Sequence, residues 1–232
     1  MRKLIVLFLV MVLSLSTVSA LADSSIVVTG TGETFIPADT AVVSIGVSTR
    51  NADALKAQAE ANEIIARIRA ALTGAGLNEE DINTGYVNLY GIYDYSGYDE
   101  KLTGYSASSS LAVMVKDISR VGEVIDLAFG AGANMLDGVS FSASDDTAAR
   151  AESLKAAVAE AKEKAAVLAE AAGMGELEIE SIQETGFFTY GNETNRFAVK
   201  AAGEIATEDA ATIIQAAKIC VSATVTVTFK TK

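Results

Sequence analysis

Residues 40–72, TAVVSIGVSTRNADALKAQAEANEIIARIRAAL, decide the fold class, because the apolar period changes within them. Ala41, Val43, Ile45 and Val47 alternate with small or polar residues, the period of a half-buried strand over Thr40–Arg50. From Asp53 the period lengthens. Ala61, Ile65, Ile68 and Leu72 recur at spacings of four, three and four, which predicts an amphipathic helix that Gly74 and Gly76 end. Upstream, Ile26–Phe35 reads as another strand. Pro37-Ala38-Asp39 makes the turn between the two, since proline fixes its own φ and donates nothing to a ladder.

The pattern repeats downstream. Ile82–Tyr93 and Leu102–Val115 read as a hairpin with the polar tip Asp94–Glu100. Asp117 caps a short helix carrying Val121, Ile125 and Ala128, and Gly130 and Gly132 stop it before a strand over Asn134–Ala143. Ser144, Asp145 and Asp146 open the longest helix, Thr147–Ala172, with acids at its positive end. Its expected stripe is Leu154, Val158, Ala161, Ala165, Leu168 and Ala172, small enough for close approach to a sheet or to another subunit. Leu177–Thr185 is a further strand. Gly186 to Ala217 reads as irregular, with Ala206–Ala217 a candidate short helix. Ile219–Phe229 closes the chain as a central or closing strand, alternating Val221, Ala223, Val225 and Val227. The whole is an α+β fold: a mixed, largely antiparallel sheet on two or three helices, with two strand-helix-strand units.

Composition removes most chemistry. There is no histidine, which eliminates Ser-His-Asp and Cys-His nucleophiles and the usual zinc ligands, and there is no tryptophan. Cys220 is the single cysteine, so no internal disulfide forms; its apolar, β-branched surroundings predict a buried, unreactive thiol. Gly30-Thr31-Gly32-Glu33 opens no helix and lacks the lysine of a phosphate loop, so it reads as a strand-end turn. The carboxylates lie in helix first turns, on helix faces or in loops. Asp145-Asp146 and Glu79-Glu80-Asp81 could collect a hard cation, but helix-start and turn roles account for them. The reading carries no catalytic residue, no metal and no cofactor, and the chain is not read as an enzyme.

The N-terminus directs export. Arg2 and Lys3 precede the apolar run Leu4–Leu13, and Ala20-Leu21-Ala22 is an A-x-A site, so residues 1–22 read as a signal peptide and 23–232 as one domain. The apolar run is too short to span a membrane. Removing Arg2 and Lys3 from 18 bases leaves 16 against 30 acids, a net charge of −14 that disfavours nucleic acid or an anionic membrane as partner.

Six of the seven tyrosines, Tyr86, Tyr90, Tyr93, Tyr95, Tyr98 and Tyr105, fall around the hairpin. Tyrosine offers large area, little entropy loss and a polar tip, which suits a subunit interface or sugar stacking; β-propensity alone would also place it in strands. Asn192-Glu193-Thr194 is a glycosylation sequon, with Asn192 the acceptor.

Several segments taken in order resemble the SIMPL-domain family, which takes in YggE-like oxidative-stress-defence proteins and bacterial periplasmic immunogenic proteins. They are Val28-Thr29-Gly30-Thr31-Gly32 with Pro37-Ala38-Asp39-Thr40-Ala41, Asp81-Ile82-Asn83-Thr84, Leu102 to Ser108, Gly130 to Asn134, Gly138-Val139-Ser140-Phe141, and Ile219 through Val227. The resemblance covers nearly all of 23–232. It implies an α+β fold, export to the periplasm or cell surface, ring-like homo-oligomers in some members, and no catalytic residues. Where relatives often carry Pro-Gly before the final strand, this chain has Ala216-Ala217. Two functions follow: a homo-oligomeric structural or scaffold protein of the envelope linked to oxidative-stress defence, or a binding module for an envelope partner, glycan or small ligand.

Overall fold

The structure, a computed structural model, describes residues 25–96, 100–191, 212 and 214–232. Seven strands run in chain order with three helices: β1 (Ser25–Ile36), β2 (Thr40–Asn51), α1 (Ala54–Gly74), β3 (Ile82–Asp94), β4 (Lys101–Val115), α2 (Val121–Gly130), β5 (Met135–Ser142), α3 (Thr147–Ala172), β6 (Leu177–Gly191) and β7 (Ile219–Thr231). The α+β class holds. Every strand pair is antiparallel, and the strands divide into two sheets, ordered β1-β7-β6 and β3-β4-β2-β5.

Consecutive β1 and β2 lie in different sheets because Pro37 interrupts the ladder between them. Asp39 anchors the crossing: its N–H donates to the Ser142 carbonyl at 3.1 Å, and its carboxylate accepts from Ser144 N (2.8 Å) and Oγ (2.6 Å). Those two bonds from Ser144 hold the Asp39 carboxyl below the usual carboxylate range. Ala38 is buried at the seam with Ala149, Ile219 and Val221.

The four-stranded sheet packs one face on α1 and α2. Asp53 caps α1 by accepting from Leu55 N (2.8 Å) and Lys56 N (3.2 Å). The apolar period of α1 then delivers Ile68 and Leu72 into a core with Val43, Ile45, Leu111, Val113 and Ile125, while Ala57 and Ala61 meet Val47 and Ala107.

Sheet β1-β7-β6 rests on α3, where the structure corrects two expectations. Gly30 and Gly32 are not a strand-end turn; they lie inside β1, opposite Val225 and Ala223 of β7. They are the points where α3 crosses the strand. A Cβ at Gly30 would sit 2.8 Å from Ala161 N and 2.9 Å from Ala161 Cβ, and would overlap the Ala157 carbonyl oxygen. The stripe of α3 also rotates. Its buried residues are Ala149, Ser153, Ala157, Ala161, Ala165 and Ala169, while Leu168 is 48% exposed and Ala172 is exposed. Without Cβ atoms on Gly30 and Gly32, the backbones come close enough that only alanine or serine fits the contact line, and Leu154 and Val158 fill its flank. Ser153 keeps its hydroxyl satisfied there by donating to the Val221 carbonyl at 2.7 Å.

The stretch from Gly186 is a third correction. β6 continues to Gly191, because β7 offers ladder partners from Gly186↔Thr224 to Gly191↔Ile219. Residues 206–211 and 213 of the expected short helix lie outside the described residues; 214–217 are not helical. Thr212 docks on α2, its hydroxyl and N–H donating to Asp126 at 2.5 and 3.2 Å, and its carbonyl occupies the space a side chain on Gly122 would need.

Among the described residues no helix is long and apolar enough to cross a membrane. Residues 1–22, read as a signal peptide, lie outside the described residues.

Candidate functional site

The tyrosine-rich hairpin forms as β3 and β4, and its ladder assigns the tyrosines to different surroundings. Directly opposed residues of an antiparallel pair share a face. Tyr86↔Ser110, Asn88↔Ser108 and Tyr90↔Ser106 therefore lie on the face away from α1, and Val87↔Ser109 and Leu89↔Ala107 on the face toward it. Tyr105 is half-buried against the α1 cluster of Val47, Ala57, Ala61 and Ala107. Tyr90, Tyr93 and Tyr95 are exposed. Tyr98 and Asn192 lie outside the described residues.

Tyr86 leans across the small side chains beneath it toward Asp137 of β5. Burial, and then the negative charge of the Asp137 carboxylate and a hydrogen bond to it, push its phenol above the ordinary value. At the tip, Tyr95 donates to Glu100 at 2.9 Å, and its ring lies 6.4 Å from that of Tyr93 at 45°. The hydroxyls beneath are organised: Ser108 Oγ bonds to Ser48 Oγ at 3.1 Å, and Ser110 Oγ accepts the Tyr86 N–H at 3.2 Å. The run SASSS at 106–110 was the available signal for this polar row.

Among the described residues β3 is also an edge strand, and the four sheet edges they form differ in what guards them. On β1, Glu160 of α3 accepts the Thr31 N–H, and Lys164 donates to the Thr29 carbonyl at 3.0 Å, so helix side chains occupy ladder groups a new strand would use. β6 bears Glu178, Glu180 and Glu184 and two register shifts. β5 is short, carries Asp137, and shifts register opposite Ser44/Ile45. β3 differs in charge: its ladder shifts register twice and Arg69 of α1 donates to the Ile82 carbonyl at 2.7 Å, but the run from Ile82 to Tyr93 is uncharged, and Val87, Leu89, Tyr90 and Tyr93 are exposed along it.

The acidic groups find structural partners. Asp81, in the 3-10 turn Glu79–Asp81, pairs with Lys116 at 2.8 Å, and that bond lowers its carboxyl. Asp145 caps Thr147 N at 2.9 Å; Asp146 takes Arg150 at 2.7 Å and Thr189 at 2.9 Å. Among the described residues no group of three Cys, Asp or Glu is placed to hold a metal ion.

Sequence reasoning passed over the seventh tyrosine. Tyr190 sits opposite Cys220 in the β6–β7 ladder, and Cys220 is buried as its surroundings predicted. The Tyr190 hydroxyl bonds to the Cys220 sulfur beside Glu33, and the cysteine first, then the carboxylate, push the phenol up to about 12. Tyr190 is therefore expected to ionise near pH 12 in a spectrophotometric titration of the native protein. Tyr190→Phe should remove that late step, and a titration in which it persisted would contradict the assignment. No sequence signal pointed to Tyr190, since the pairing joins segments on either side of 192–211.

Residues 26–229 match the SIMPL family, described as a protein of unknown function (DUF541). The chain is similar to the 26 kDa periplasmic immunogenic protein of Brucella melitensis biotype 1, with 34% identity over 157 residues that cover 65% of this chain and 62% of that protein. It resembles the protein of the same name from Brucella abortus strain S19 at 33% identity and the same coverage. It also resembles "Uncharacterized protein YggE" of Escherichia coli strain K12, at 28% identity over 144 residues, 62% of this chain and 58% of that protein. The chain thus spans less than two thirds of the length of these relatives. With a match that starts in β1, takes in all seven strands and three helices and ends in β7, the chain belongs to the SIMPL family.

Proposed function

We propose that the chain is an exported protein of the cell envelope, cleaved after Ala22, that works as a homo-oligomeric structural or scaffold protein. The observation that carries this reading is the edge strand β3, whose run from Ile82 to Tyr93 holds no charged side chain in a chain of net charge −12. Uncharged edges of this kind invite pairing with another strand, and natural sheets often place charge there to prevent it. Export to the periplasm is supported by the names of the Brucella relatives, which are periplasmic immunogenic proteins. A role in oxidative-stress defence would then act through the assembly, because the thiol of Cys220 is buried and has no second cysteine to resolve it.

The test is the native mass of Asp23–Lys232 by light scattering over a concentration range. A discrete multimer is the expected result. A monomer throughout would end the scaffold reading and favour a binding module, with the exposed Tyr93–Tyr95 pair as its contact for a glycan or envelope partner.

A further inference from the structure

We propose that two copies of this chain join β3 to β3, antiparallel about a twofold axis passing between Leu89 and its symmetry mate, so that two four-stranded sheets become one continuous sheet. The inference rests on the homo-oligomer reading and specifies its interface.

Charge selects the strand. A chain of net charge −12 repels its own copies, and an antiparallel pairing brings every side chain of an edge near the same set on the partner. On β6 that would gather the carboxylates of Glu178, Glu180 and Glu184, and on β5 those of Asp137. On β1 it would displace the Glu160 and Lys164 bonds to Thr31 and Thr29. On β3 it brings together no charge at all from Ile82 to Tyr93, and β4 behind it is uncharged from Leu102 to Val115.

The irregularities of the strand select the register. The ladder of β3 shifts between Thr84 and Tyr86 and again between Ile92 and Tyr93, which leaves Tyr86–Ile92 as the regular run. A shift breaks the spacing of ladder groups, so pairing is favourable only between the shifts. Full overlap of that run with its own copy places Leu89 opposite Leu89, Asn88 opposite Tyr90, Val87 opposite Gly91 and Tyr86 opposite Ile92. The side chains agree. Val87 and Leu89 point to the α1 side but are 55% and 46% exposed, and the twofold brings the partner's strand alongside both, with Leu89 directly against its own copy.

The test is disulfide trapping in the mature chain, Cys220 being buried and left in place. Leu89→Cys places two thiols on directly opposed residues, whose Cα separation of about 4.5–5.5 Å suits a disulfide. Val87→Cys, equally exposed, would sit four residues off its own copy, roughly 14 Å away along the strands. Under mild oxidation Leu89→Cys should give a covalent dimer on non-reducing gels at least about tenfold faster than Val87→Cys. Leu89→Arg should lower the native mass with an unchanged circular-dichroism spectrum, whereas Ile182→Arg, on the exposed β6 edge, should leave the mass unchanged. A multimer in which Leu89→Cys links no faster than Val87→Cys, or whose mass survives Leu89→Arg, overturns this interface and leaves the scaffold reading standing. A monomeric wild type overturns both.

Discussion

Gly30→Ala is expected to destabilise the protein by about 3 kcal/mol, the upper end of what inserting a methyl into a packed site costs, and to lower the midpoint of thermal unfolding by roughly 6–12 °C. The new Cβ would meet backbone: the Ala157 carbonyl and the amide nitrogen of Ala161, 2.8 Å away. A flexible side chain could turn aside, but the backbone of a 26-residue helix moves only as a body. Moving α3 off the strand would open the whole contact line of Ser153, Ala157, Ala161 and Ala165 and loosen Val225 and Val227 beneath it. In an unobstructed strand or helix, the same change gains up to about 1 kcal/mol by limiting the unfolded chain. Gly74→Ala supplies that contrast, since a Cβ there meets nothing within 4 Å and should be neutral or stabilising. Urea titrations of the two variants would check the pair. A stable Gly30→Ala would mean that α3 does not seat on β1 at Gly30.

Leu72→Ala is the second large effect, expected to cost about 2–5 kcal/mol from lost burial and the cavity left behind. Leu72 is fully buried among Ile68, Ile45, Leu111 and Val113. Leu55, in the first turn of the same helix, is 82% exposed, and Leu55→Ala should stay within about 0.5 kcal/mol of wild type. The same substitution in one helix thus separates burial from helix propensity, which favours alanine at both sites. Equal losses would show that α1 does not face the sheet through Leu72, and no loss at either would remove it from the core.

The strands and helices were legible because their periods are local. Asp53, Ala61, Ile68 and Leu72 mark α1 by spacing alone, and the alternation of β7 announces a central or closing strand, which the sheet places in the middle. The hairpin that carries the candidate surface was legible for the same reason. That β3 is an edge without charge was not, because edge status depends on which strands neighbour it, and β1, β5 and β6 had to be placed before the edges could be compared. Tyr190 beside Cys220, and Asp137 beneath Tyr86, were hidden for the same cause: each pair is joined by a sheet, not by sequence distance.

The sequence by itself determined the α+β class, the limits of the long helix, the lack of histidine chemistry and the excess of acid, since these follow from residue type and short-range period. Only the tertiary structure decided that β1 and β2 part into separate sheets at Pro37, and that Gly30 and Gly32 are seats for a helix. It alone turned α3 onto its alanines, with Leu168 facing solvent. A glycine with no Cβ is read locally as a turn, and an alanine stripe as a weak core. Their meaning emerges when two backbones meet, and that distance is set by the packing of segments more than a hundred residues apart.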